Sequence, residues 1–166
     1  MKIKELTQED TGPGTFAGVR FSKETQKHIK EFCEQNNIQN ALPTEKLHVT
    51  LLYSRKPCPN YEPNQNSYPM TATPKGFEIW KSEHIEGKPN CLVLKLDCPD
   101  LVDRHNELMQ EHDATFDYPE YKTHVTFSYD VGDLKAEDIP SFDADLDIVS
   151  EYKEDLRTEY KANELT

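Results

Sequence analysis

Apolar residues recur along this chain at two spacings, alternating in short segments and returning every third or fourth position in longer ones. Thr15–Phe21 (TFAGVRF) alternates and predicts a strand, as do 47–54 (LHVTLLYS), 76–82 (GFEIWKS), 91–97 (CLVLKLD) and 121–129 (YKTHVTFSY). A sixth strand is predicted between Phe142 and Lys153. Helical spacing instead places Ile29, Phe32 and Cys33 on one face of 23–37, behind Ser22 as N-cap, and Leu101, His105 and Leu108 on one face of 100–113. The segment 55–74 holds Pro57, Pro59, Pro63, Pro69 and Pro74 and is read as an irregular loop, long enough to serve as a lid over a site.

The order of elements repeats. Strand, helix, strand, strand over about 15–84 is followed by the same series over about 91–153, so one domain of two pseudo-symmetric lobes is expected, in an α+β fold. Its two antiparallel sheets would form a concave cleft with the helices outside. Arg20 precedes His48 by 28 positions and Lys95 precedes His124 by 29.

Strand periodicity gives that repeat chemical content. In Leu47-His48-Val49-Thr50-Leu51, His48 and Thr50 share one face; in Thr123-His124-Val125-Thr126-Phe127, His124 and Thr126 do. The intervening apolar residues pack under the helices, which turns both His/Thr pairs toward the cleft. Imidazole titrates near neutrality, so one histidine serves as base while its twin serves as acid, and two threonine hydroxyls donate to the non-bridging oxygens of a phosphate. Zinc is the competing use of histidine, but no third ligand stands at a familiar spacing, so no metal or other cofactor is expected. His28, His84, His105 and His112 are read as structural or solvent-exposed.

The same parity argument extends the cleft to Phe16 and Arg20, to Glu78 and Trp80, to Val93 and Lys95, and to Val149, Glu151 and Lys153. Phe16 and Trp80 are candidates for stacking on bases, Arg20 and Lys95 for meeting phosphates, Glu151 for accepting from a base edge, and Tyr61 and Tyr68 for closing over a ligand.

Composition narrows the ligand. Against 31 acidic residues stand 19 basic ones in 166, a net charge of −12, which excludes a basic wrapper of long DNA or RNA. An anionic substrate must be small and met by a local positive site. No apolar run reaches the roughly 18 residues of a membrane span. The polar start is unlike a signal peptide, and Cys33, Cys58, Cys91 and Cys98 form no CxxC pair, so reduced thiols in a cytosol are expected.

The paired HxT motifs in a duplicated order resemble the two-histidine (2H) phosphoesterase superfamily. Within it, the opening MKIKELTQEDTGPGTFAGVRFS, LHVTLLYS, GFEIW, THVTFSYD and the late acidic strand resemble the phage anti-CBASS cyclic-oligonucleotide phosphodiesterases. The resemblance implies metal-independent cleavage of 3′–5′ linkages in cyclic di- and trinucleotide signals such as 3′3′-cGAMP, within the host bacterial cytosol. His48, Thr50, His124 and Thr126 would be catalytic, and the ribose 2′-hydroxyl would attack through a 2′,3′-cyclic phosphate. Thr123 departs from the family pattern, which is apolar there. Opening of RNA 2′,3′-cyclic phosphates and non-catalytic sequestration of the nucleotide are the alternative readings.

Overall fold

The computed structural model describes residues 12–64, 70–82 and 85–157. Six strands and two α-helices follow one another as β1 (Thr15–Phe21), α1 (Lys23–Gln35), β2 (Val49–Ser54), β3 (Met70–Lys81), β4 (Asn90–Asp97), α2 (Pro99–Glu111), β5 (His124–Ser128) and β6 (Leu146–Asp155). Ser22 caps α1, its hydroxyl accepting from the Thr25 amide at 3.1 Å. Pro99 opens α2, where its missing N–H costs nothing. Met70–Pro74 belong to β3 rather than to the proline-rich loop. Lys75 is bulged out of the pairing with β4, which lets Pro74 sit beside the break, and Gly76 adopts φ 143°.

The strands close into an antiparallel barrel in the order β1-β2-β5-β4-β3-β6. The two expected sheets are therefore two three-stranded groups, β6-β1-β2 and β3-β4-β5, joined along both sides. Each half of the chain places its third strand in the other half's group: β3 pairs with β4, and β6 with β1. The helices lie outside. Phe32 of α1 stacks on Phe77 of β3 at 5.4 Å and meets Phe127 of β5 edge-on, while α2 buries Leu101, His105 and Leu108 and reaches β2 and β6. Among the described residues no helix is long and apolar enough to cross a membrane. All four cysteines are free and buried.

Bulges decide which side chains face the barrel's concavity. On β6, Arg20 pairs with Ser150 but Phe21 with Ile148, which leaves Val149 as an extra residue, 45% exposed. Beyond it the alternation inverts. Tyr152 and Glu154 take the cavity side, and Glu151 turns away from it, against the sequence expectation.

Glu151 is instead 1% exposed at the junction of β6, α2 and the proline-rich segment. Its carboxylate accepts from Arg104 Nε at 2.7 Å and Nη2 at 3.0 Å, from the Tyr61 hydroxyl at 2.8 Å and from the Asn64 amide at 3.0 Å. Tyr61, 1% exposed, is thus a structural anchor rather than a ligand contact, and Tyr68 lies outside the described residues. Four donors compensate the buried charge, and removing that charge leaves Arg104 with the exposed Glu107 as its counter-ion. Glu151→Gln is expected to cost about 3–5 kcal/mol in urea denaturation; a base-reading role would leave stability nearly intact and lower ligand affinity instead.

Candidate active site

The two HxT strands meet at one backbone pair. Val49 of β2 lies opposite Val125 of β5, and both are buried, at 1% and 0% exposure. Because the strands run antiparallel, His48 and Thr50 flank this pair on one strand while His124 and Thr126 flank it on the other. All four are half-buried and line one cavity of about 910 Å³.

Each imidazole is oriented by the same local bond. His48 Nδ1 lies 2.9 Å from the Lys46 carbonyl and His124 Nδ1 lies 2.7 Å from the Lys122 carbonyl. A carbonyl only accepts, so Nδ1 carries the proton in both rings and Nε2 is the basic nitrogen left for the cavity. Burial pushes the His48 imidazole down to about 4, with the charge of Arg20 adding to the effect and the carbonyl of Lys46 opposing it. His124 is lowered as well, chiefly by burial, with Lys122 contributing. Both rings are neutral in the empty site at pH 7.

The remaining walls differ at the two histidines. On the His48 side, Phe16 approaches edge-on at 5.6 Å and Tyr152 at 6.4 Å. Arg20 lies over the Tyr152 ring at 3.9 Å, and its Nη1 donates to the Glu45 carbonyl at 2.8 Å. Gly18 makes this packing possible, since a Cβ there would fall 2.7 Å from the Tyr152 hydroxyl oxygen. On the His124 side, Trp80 lies 4.5 Å from the imidazole, and Lys122 Nζ stands 5.7 Å from its ring. Trp80 Nε1 donates to Glu78 Oε1 at 2.7 Å, a bond that holds this carboxyl below the usual carboxylate range.

Phe16, Arg20 and Trp80 therefore line the cavity beside both HxT pairs. Lys95 does not. It lies across the sheet from His124, where its ammonium pairs with Glu78 Oε2 at 3.3 Å and steadies the carboxylate that holds the indole. Glu151 and Lys153 lie on the far side of β6, where Lys153 donates to the Tyr61 carbonyl at 2.8 Å.

Several lining residues escape strand parity. Tyr152 and Glu154 reach the cavity through the β6 bulge. Tyr53 does so through a bulge on β2, where Gly18 pairs with Thr50 and Ala17 with Leu52, leaving Leu51 as the extra residue. Phe116, Tyr118 and Tyr121 come from the loop before β5. Lys46 and Lys122 also line the cavity, and they were visible in sequence: KLHVT and KTHVT share a lysine two positions before each histidine. Among the described residues no group of three or more His, Cys, Asp or Glu is placed to hold a metal ion. His84 lies outside the described residues.

The family model described as "Anti-CBASS protein Acb1" matches residues 13–163. The chain is 33% identical over 169 residues to the anti-CBASS protein Acb1 of Vibrio phage KVP40, covering 98% of this chain and 99% of the relative. It is 36% identical over 152 residues to that of Acinetobacter phage Ac42, covering 92% and 97%. In three dimensions it resembles E. coli LigT crystallised with 3′-AMP, with a TM-score of 0.58 and 12% identity over 85% of this chain and 86% of that one. The α+β fold is thus LigT-like. With nearly its whole length matched, the chain belongs to the anti-CBASS protein Acb1 family.

Proposed function

We propose that this protein is a metal-independent phosphodiesterase that cleaves 3′–5′ bonds of cyclic di- and trinucleotide signals, acting in the cytosol of an infected bacterium to defeat CBASS immunity. The observation that carries this reading is the pair of HxT motifs joined at Val49–Val125, with both imidazoles locked through Nδ1 and both Nε2 atoms left to one cavity. Its volume of about 910 Å³ falls within the usual range for small ligands. Arg20, Lys46, Lys81 and Lys122 line it, against Glu120 and Glu154, so a locally cationic site opens in a chain of net charge −12. That contrast favours a compact anion with few phosphates over a long polyanion.

In this mechanism one imidazole takes the proton of a ribose 2′-hydroxyl, whose oxygen attacks the adjacent phosphorus. The other imidazole gives its proton to the departing 5′-oxygen, leaving a linear product that ends in a 2′,3′-cyclic phosphate. Reversing the proton traffic with water opens that ring. Thr50 and Thr126 donate to the non-bridging oxygens as charge builds on them. Phe16 and Trp80 offer faces for bases, and Arg20, braced by Glu45 and Tyr152, offers charge to a phosphate.

Incubating the protein in excess EDTA with a panel of cyclic di- and trinucleotides, followed by mass spectrometry, tests the reading. Linear products with a terminal phosphate are expected. Hydrolysis only of oligonucleotides with a 2′,3′-cyclic end would indicate the RNA-end activity, and intact cyclic nucleotide recovered from heated protein would indicate sequestration. His48→Ala and His124→Ala are each expected to lower turnover by about 10²–10⁴-fold while leaving the fold unchanged.

The lowered imidazole values also set the pH profile. The acid must hold a proton that it loses as pH rises through its depressed value, and the base must have lost its own. A bell-shaped kcat/KM is therefore expected, with one limb near pH 4 and the alkaline limb below 6.5, so activity at limiting substrate falls between pH 6.5 and 8. A bound phosphate favours the imidazolium, which moves the kcat profile to higher pH. A kcat/KM that rises from pH 6.5 to 8 would contradict this.

A further inference from the structure

Tyr121 lines the cavity three residues before His124, and its hydroxyl donates to the Thr50 carbonyl at 2.6 Å. His105 of α2 stacks on the Tyr121 ring at 4.1 Å with 10° between the planes, and its Nδ1 donates to the Leu51 carbonyl at 2.7 Å. Two consecutive carbonyls of β2 are thus held by side chains, right at the bulge that follows Val49 and Thr50.

The location gives these bonds their importance. β2 and β5 share a single paired position, Val49 with Val125, whereas β1 and β6 share a long ladder. Past that position β2 faces Tyr121 and Thr123, which lie outside any strand. Tyr121 also stands one residue before Lys122, whose carbonyl orients His124. The bond from Tyr121 to Thr50 therefore ties the segment carrying His124 directly to the backbone carrying Thr50.

We infer that Tyr121, backed by His105, is a positioning residue that fixes the spacing of the two HxT motifs in the transition state. The inference rests on the phosphodiesterase reading above. In-line attack needs base, acid and threonine donors held around one phosphorus together, and a misplacement of about 1 Å costs about 10²-fold in rate. The Val49–Val125 pair sets one point of contact between the motifs, and the tyrosine tie removes the remaining freedom of β2 to hinge about it. Burial keeps the phenol protonated well above its ordinary range, so it donates throughout any assay.

Tyr121→Phe keeps the ring, its stack on His105 and the cavity wall, and removes one hydroxyl. It is expected to lower kcat by about 10–100-fold with KM within about threefold, since the loss falls on the transition state. His105→Gln, which retains a donor for Leu51, should exceed His105→Leu in kcat. In the ligand-free protein, Tyr121→Phe should also shift the amide resonances of Thr50 and Leu51 and the imidazole resonances of His124. An unchanged kcat in Tyr121→Phe, or a loss confined to KM, would overturn the tie. Should the wild type turn over no member of the nucleotide panel, the phosphodiesterase reading falls, and unchanged resonances in Tyr121→Phe would then dispose of the tie on their own.

Discussion

The Val49–Val125 pair is the contact on which the site depends. Each valine is the middle residue of an HxT motif, and each is almost wholly withdrawn from solvent. Burying both in one core forces the flanking residues of both strands onto the opposite face, and antiparallel pairing lays His48 and Thr50 against Thr126 and His124. A slip of one residue in either strand would send that strand's His and Thr into the core. The approximate twofold relation of the site is thus a consequence of backbone pairing, and the exchange of β3 and β6 between halves closes the barrel around it. That exchange also makes each motif depend on both halves of the chain. β2 is flanked by β1 of its own half and β5 of the other, while α2 braces β2 and β6 together through His105 and Arg104.

Much of this was legible in the sequence because alternation and hydrophobic content are local properties. Thr15–Phe21 and the Ser22 cap read directly from the chain, and the HxT repeat needed only a period of two to place four side chains on one face. The failures share one physical origin. A bulge leaves no mark on composition, and each one inverts the parity of every residue beyond it. Val149 on β6 exchanged Glu151 and Lys153 for Tyr152 and Glu154, and Leu51 on β2 brought Tyr53 to the cavity. Lys95 stands opposite His124, as parity expects, but its charge is met by Glu78, a long-range partner that no spacing along the chain announces. Met70–Pro74 were hidden by proline, which a strand accommodates beside a bulge but which read as a loop. The lysines before each histidine were the one repeated signal left unused.

Charge and burial act together on the imidazoles of the cavity. Arg20 lies near enough to His48 to oppose its protonation, and Lys122 does the same to His124, so the cations that suit an anionic substrate also keep the empty site free of imidazolium. A bound phosphate reverses the balance. Its negative charge meets Arg20 and Lys122, offsets their repulsion of a ring proton, and favours one imidazolium between the two motifs. In the proposed reaction the protonation state needed for catalysis is thereby coupled to occupation of the site by the diester. A neutral ligand of equal size would fill the same walls without supplying that charge. The cavity would discriminate by charge twice, once in admitting a compact anion against an acidic exterior, and again in acquiring its acid only when a phosphate lies between the rings.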